Sequence, residues 1–284
     1  MSDLRYFAHA LGGVVSGANS ISCPGPGHHP DDRSVSVTFN PSAPDGFLVS
    51  SYGRTDWREA KDHVRRILGI KHGNAPRGPE ACKRPQPSLE ENRDRIAAAL
   101  ALWDGAADPR GTLAEKYLNS RALDLHDDVA GEVLRWHPGI HAMVALFRDV
   151  RTNEPRAISR TFLDREGRKI TRRFLGPVSH AAIKIDADES VLGGLTIGEG
   201  IETCLAGRQI GLKPCWALGS AVAISNFPVL NGIEALWLLR EIDAANMHAA
   251  IACKARWEAA GREVFDNWPS FGSDMNDSIQ ERAA

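Results

Sequence analysis

The stretches LTIGEGIETCLAGRQIG (195–211), PCWALGSA (214–221), ALWLLREIDAAN (235–246), REVFDNW (262–268) and GSDMND (272–277) decide the fold. Short apolar runs predict strands at Leu195–Gly198, Pro214–Leu218, Ala235–Leu239 and Glu263–Trp268. Between them, helical spacing predicts helices over Ile201–Ile210, over a short segment to Phe227, and over Ala244–Ala260. Strands alternating with helices at this spacing imply an α/β unit: a parallel sheet covered on both faces. Ligands of such sheets bind beyond the carboxyl ends of the strands. Three acidic clusters fall there: Glu199 after the first strand, Glu241 and Asp243 after the third, and Asp274 and Asp277 after the last. Carboxylates gathered at one edge repel one another unless a cation neutralises them. A ligand set of oxygen alone, without His or Cys, suits Mg²⁺ or Mn²⁺. The competing structural role for each acid is a solvated loop residue or a helix N-cap.

Upstream, the period changes. MVALFRDV (143–150), RAISRTFL (156–163) and KITRRFL (169–175) are rich in β-branched and aromatic residues and are separated by the turns TNEP and DREG. They predict an antiparallel meander within an α+β subdomain at 91–189. Helices at Glu90–Trp103 and Leu113–Asn119 precede it. Arg148, Arg160 and Arg172 are interleaved here with Phe147, Phe162 and Phe174. The arginines are candidate phosphate ligands and the phenylalanines candidate core. Lys184, just ahead of the parallel strands, is a further candidate nucleotide contact or a solvated edge charge.

Residues 71–90 carry four prolines and two glycines with almost no large apolar side chain, and read as a linker. Residues 1–70 predict a compact unit. It has a helix near Asp3–Leu11, strands at Val35–Phe39 and Gly46–Ser50, and a helix N-capped by Thr55 that ends at Gly69. The loop CPGPGHHPDDRS (23–34) carries Cys23, His28 and His29.

Bulk composition narrows the class. Of 284 residues, 43% are apolar and 25% charged, ordinary for a globular protein. No apolar run approaches the ~18 residues of a membrane span, and the N-terminus has no signal-peptide core, so the expectation is a cytoplasmic protein without a membrane partner. Five scattered cysteines with no CxxC argue against a disulfide framework. The formal charge is −2, yet His141–Ile185 holds ten Lys/Arg against four Asp/Glu. A basic middle beside an acidic end fits a polyanion groove next to a metal site.

Taken in order, IGEGIETCLAGRQIG, WALGSA, LLREIDAAN and GSDMND resemble the Toprim domain of bacterial-type primases, topoisomerases and related nucleases. The resemblance covers about 95 residues and is nearest to the primase-like proteins of phages, plasmids and mobile elements. It implies a Rossmann-like Toprim catalytic domain at 190–284. Glu199 would be the acid/base of nucleotidyl transfer, Glu241 and Asp243 the paired acids that hold magnesium, and Asp274 and Asp277 trailing acids that support a second ion. Gly219 matches the glycine after the second strand. Two positions depart from the pattern: Glu241 stands where the pair normally opens with aspartate, and Thr203 where many primases have an aspartate. The loop at 23–34 resembles the zinc module at the front of such primases. The expected second ligand pair near FLVSSYGRTDW holds no cysteine, which implies a degenerate ribbon with Cys23 and His28 as remnants. The implied function is a primase-like nucleotidyltransferase working on single-stranded DNA with nucleoside triphosphates, Mg²⁺ and a separate replicative helicase. A Toprim nuclease and a catalytically inactive nucleic-acid-binding accessory remain alternatives. A topoisomerase would need a nucleophilic tyrosine, and Tyr6, Tyr52 and Tyr117 sit in no recognisable motif.

Overall fold

The computed structural model describes residues 3–17, 19–40, 43, 45–51, 55–70 and 88–283. The chain divides into two compact units, Met1–Gln86 and Pro87–Ala284. Among the described residues no helix is long and apolar enough to cross a membrane.

The first unit is an antiparallel sheet of β1 (Val14–Val15), β2 (Ser20–Cys23), β3 (Val35–Phe39) and β4 (Phe47–Ser51) in that order, with α1 (Asp3–Ala10) and α2 (Trp57–Leu68). Ile21, Cys23, Val35, Val37, Phe39, Phe47, Ala60 and Val64 form its core. The N-cap of α2 is Asp56, whose carboxylate accepts from the Arg58 N–H at 2.7 Å, and not Thr55. A carboxylate also complements the positive end of the helix dipole, which a hydroxyl does not. Gly69 ends α2 in the left-handed region, φ 67°. Through residue 87 the expected linker lies outside the described residues. Its final residues belong to the next helix, because Ser88 and Glu91 form a capping box.

The second unit opens with α3 (Leu89–Asp104) and α4 (Leu113–Ser120), then β5 (Leu134–His137), β6 (Ala142–Asp149), β7 (Pro155–Leu163), β8 (Lys169–Leu175) and β9 (Ala181–Lys184). There follow β10 (Gly194–Gly198), α5 (Ile201–Gln209), β11 (Cys215–Ala217), α6 (Ala221–Ser225), β12 (Ala235–Leu239), α7 (Ala244–Ala259), β13 (Glu263–Asn267) and α8 (Met275–Ala283). All the strands join one nine-stranded sheet ordered β13-β12-β10-β11-β9-β6-β7-β8, with β5 also paired to β6. Strands β10 to β13 pair in parallel, and the meander β6-β7-β8 is antiparallel, as expected. The segments at 91–189 and 190–284 therefore share one sheet, bridged by β9, which is antiparallel to both β11 and β6.

Alternation along each strand divides the core between the two faces. On one face Phe147, Ala157, Ile183, Ala217 and Leu239 pack with α4, α5 and Met275 of α8. On the other, Leu195, Ile197, Leu236 and Leu238 pack with α6 and α7, and Val144, Leu146 and Ile158 pack under α3.

Candidate functional site

Glu199 leaves the end of β10, and its backbone carbonyl accepts from Gly219 N–H at 2.8 Å across the neighbouring β11 turn. Gly219 sits at φ +87°, and a Cβ there would lie 2.9 Å from the Phe147 ring. Both the turn and the close approach require glycine. Glu241 emerges two residues after β12 at the same edge, held by Thr203 Oγ1, which donates to its Oε1 at 3.1 Å.

Both glutamates line a cleft of about 690 Å³ together with Gly200, Glu202, Thr203 and Asp274 and the basic side chains of Arg121, Arg168, Lys169 and Arg172. Burial pushes the Glu199 carboxyl above its ordinary value; Arg172 opposes that shift, while Asp243 reinforces it. Burial together with the charge of Glu199 raises Glu241 to about 7, with Asp274 and Asp243 adding to the rise and Thr203 opposing it. These acids feel one another strongly. Even so, among the described residues no three His, Cys, Asp or Glu side chains converge into a ready metal cage.

Three of the expected ligands also serve as caps. Asp243 begins α7, its Oδ1 accepting from Ala245 N–H at 2.8 Å and Asn246 N–H at 2.9 Å. Asp274 Oδ1 accepts from Asp277 N–H at 2.9 Å, and Asp277 Oδ2 accepts from Ser273 N–H at 2.8 Å. Both bonds to Asp243 fall on one oxygen, so capping and ligation are compatible. The donor set, oxygen throughout with mutually repelling charges, fits a hard divalent cation.

Of the expected phosphate ligands the fold brings only Arg172 to the cleft. Its Nη2 donates to Gly219 O at 3.2 Å and its guanidinium lies 5.5 Å from the Phe174 ring centre. Arg160 pairs in register with Arg173, one residue along β8 from Arg172, so it points to the opposite face. There it donates to Phe174 O at 3.1 Å. Arg148 donates to Asn153 O at the β6–β7 turn and does not line the cleft. Lys184 is neither a solvated edge charge nor a free ligand: it is buried, 2.6 Å from Asp188 and 4.6 Å from the Trp216 ring centre.

The cleft also contains residues that the sequence reading passed over. Lys169 pairs with Glu202 at 2.8 Å, and Tyr117 Oη donates to the same Glu202 oxygen at 2.6 Å. Burial works against the Glu202 carboxylate, but the Lys169 charge and these bonds outweigh it and hold it at about 2. The Nε of Arg121 is buried without a hydrogen-bond partner among the described residues. Lys169 could have been noticed as the first residue of KITRRFL. Tyr117 lies in α4 and Arg121 caps its end, and no local pattern connects them to the sheet edge.

Among the described residues the expected zinc remnants are not gathered with other potential metal ligands. Cys23 lies in the apolar core and burial pushes its thiol up to about 11. His28 is held at both ring nitrogens, Nδ1 by Asp32 at 2.6 Å and Nε2 by the Thr55 hydroxyl at 3.2 Å. Of the region expected to hold the second pair, Tyr52, Gly53 and Arg54 lie outside the described residues.

Residues 93–185 match a family described as a domain of unknown function, DUF7146, about a third of the chain. No curated protein matches the chain. Similar solved structures are primase domains of low identity. One is a DNA primase domain from Pseudomonas aeruginosa, 14% identical over 66% of this chain and 74% of that one, with a TM-score of 0.45. Another is the Aquifex aeolicus primase with its zinc-binding and RNA polymerase domains, 14% identical over 98% and 79%, TM-score 0.43. A third is the primase fragment of the bacteriophage T7 primase-helicase protein, 16% identical over 63% and 70%, TM-score 0.39.

Proposed function

We propose that the chain is a primase-like nucleotidyltransferase that forms phosphodiester bonds on a single-stranded DNA template. The observation that carries this reading is the cleft itself. Glu199 and Glu241 stand at the carboxyl edge of the parallel strands, in a cleft that Arg121, Lys169 and Arg172 also line. The Toprim-like order of motifs supports the same assignment.

Glu241 and Asp243 would hold Mg²⁺ or Mn²⁺, with Asp274 and Asp277 behind them. Such an ion, when bound, neutralises charge on the transferring phosphoryl group and lowers the pKa of a coordinated hydroxyl. The chain's own groups supply the rest. Arg172 and Lys169 bind and orient triphosphate oxygens, and Arg121 adds a further positive charge to the same cleft. Glu199, whose carboxyl burial makes more basic than usual, accepts the proton of the attacking 3′-hydroxyl. A replicative helicase would open the duplex for this chemistry. The role belongs to the replication of a phage, plasmid or other mobile element in the cytoplasm.

The test combines single-stranded DNA, labelled ribonucleotides and Mg²⁺ with wild type, Glu199→Gln and Asp243→Asn. New oligomers that disappear in both variants are the expected result, with activity lowered at least about 100-fold. A shortened template would instead establish a nuclease. Binding with neither product would establish an accessory protein.

A further inference from the structure

The loops after β12 and β13 hold three large apolar side chains out in water beside the cleft: Ile242 at 57% exposure, Trp268 at 49% and Phe271 at 55%. Isolated exposed apolar residues are common, but these sit on the two loops that carry Glu241 and Asp274. The two loops are fastened together. Ile242 N–H donates to Ser273 O at 2.8 Å. The guanidinium of Arg240, the residue before Glu241, lies 4.4 Å from the Trp268 ring centre. Phe271 is pinned at its backbone, its N–H donating to Ser278 Oγ at 3.0 Å and its carbonyl accepting from the same hydroxyl at 2.9 Å.

We infer that Trp268, with Phe271, is a base-stacking subsite for unpaired nucleotides of the strand that occupies the cleft. This rests on the nucleotidyltransferase reading above and goes beyond it in assigning a second, uncharged contact on the loop that carries Asp274. Trp268 has one stacking partner in Arg240, which leaves half its surface open to a base. The local electrostatics favour bases over phosphates. Arg240 is spent on Asp266 at 2.5 Å, and Lys254 reaches the same carboxylate at 3.4 Å. Asp274 and Asp277 add negative charge, so a strand passing here presents its bases to the loop and turns its phosphates away. Aromatic faces accept any base, so the subsite contributes affinity without sequence preference.

The test is fluorescence anisotropy of a labelled oligo-dT strand with the full chain in Mg²⁺, titrated at several salt concentrations. The inference predicts that Trp268→Ala/Phe271→Ala binds about 5- to 100-fold more weakly with an unchanged salt slope, because no phosphate contact is lost. Trp268→Phe retains most of the affinity, and an unchanged melting temperature in the double variant excludes misfolding. Unchanged affinity in the double variant overturns the subsite alone, as does a weaker affinity with a reduced salt slope. A wild type that binds oligo-dT at no salt concentration overturns the nucleotidyltransferase reading together with the subsite.

Discussion

Glu241 carries the electrostatic tension of the site. Burial and the charges of Glu199, Asp274 and Asp243 raise its carboxyl from 4.5 to about 7. Between those values the native protein binds more protons than the unfolded chain, so stability falls as pH rises through the window. In metal-free protein, Glu241→Gln removes that loss. Its melting temperature at pH 8 should equal or exceed that of wild type by about 2–4 °C, corresponding to about 1 kcal/mol after solvent screening. Mg²⁺ should raise the melting temperature of wild type and leave the variant unchanged, as differential scanning fluorimetry would show. A variant less stable than wild type at pH 8 without metal would show that Glu241 is not strained by its neighbours. At this scale the acids were legible because strand ends in a parallel sheet are predictable from pattern. Their second role as caps was legible as well, since Asp is a preferred N-cap. Of the basic residues in the cleft only Arg172 was. Lys169 meets Glu202 33 positions away, and no local pattern encodes such a pairing.

At the scale of elements, α5 is unusual in being buried from Ile201 through Gly207. Gly207 lets it lie against β12, where a Cβ would come 2.7 Å from Leu239 Cδ1. Burying the helix also buries Glu202, which survives there only because Lys169 and Tyr117 answer it. Its folded value of about 2 lies below the ordinary 4.5. The stability it contributes is therefore present above pH 4.5 and is lost as pH falls toward 2. Glu202→Gln should cost about 1–3 kcal/mol at pH 7, measured by urea unfolding, and the difference from wild type should shrink below pH 4. It should also raise the KM for nucleotide more than it lowers kcat, because Lys169 loses its anchor. A difference that stays constant from pH 7 to pH 3 would contradict the assignment. Regular elements were the most legible part of the chain: α2, α7, β3 and β12 begin and end within a residue or two of expectation. Short strands such as β9 and β5 escaped, because four residues carry too little periodicity to separate strand from loop.

In the whole second unit, the single sheet is the organising feature. Two halves that read as separate segments, a basic meander and a parallel acidic half, are joined through β9. Within that one sheet Lys169 and Arg172 of β8 line the same cleft as Glu199 and Glu241. The charge asymmetry along the sequence thus gathers both signs of charge into one cleft, which composition hinted at. The faces of Arg160 and Arg172 likewise depended on register, which a slip of one residue would reverse. The central claim is that the acids at this edge jointly hold a divalent cation. Titration of Mn²⁺ followed by electron paramagnetic resonance measures this directly, since bound ion loses the sharp signal of free ion. The account predicts saturable binding by wild type that is weakened at least about 10-fold in Glu241→Gln and in Asp243→Asn. A wild-type protein that leaves the free-ion signal intact, or variants that bind as tightly as wild type, would contradict it.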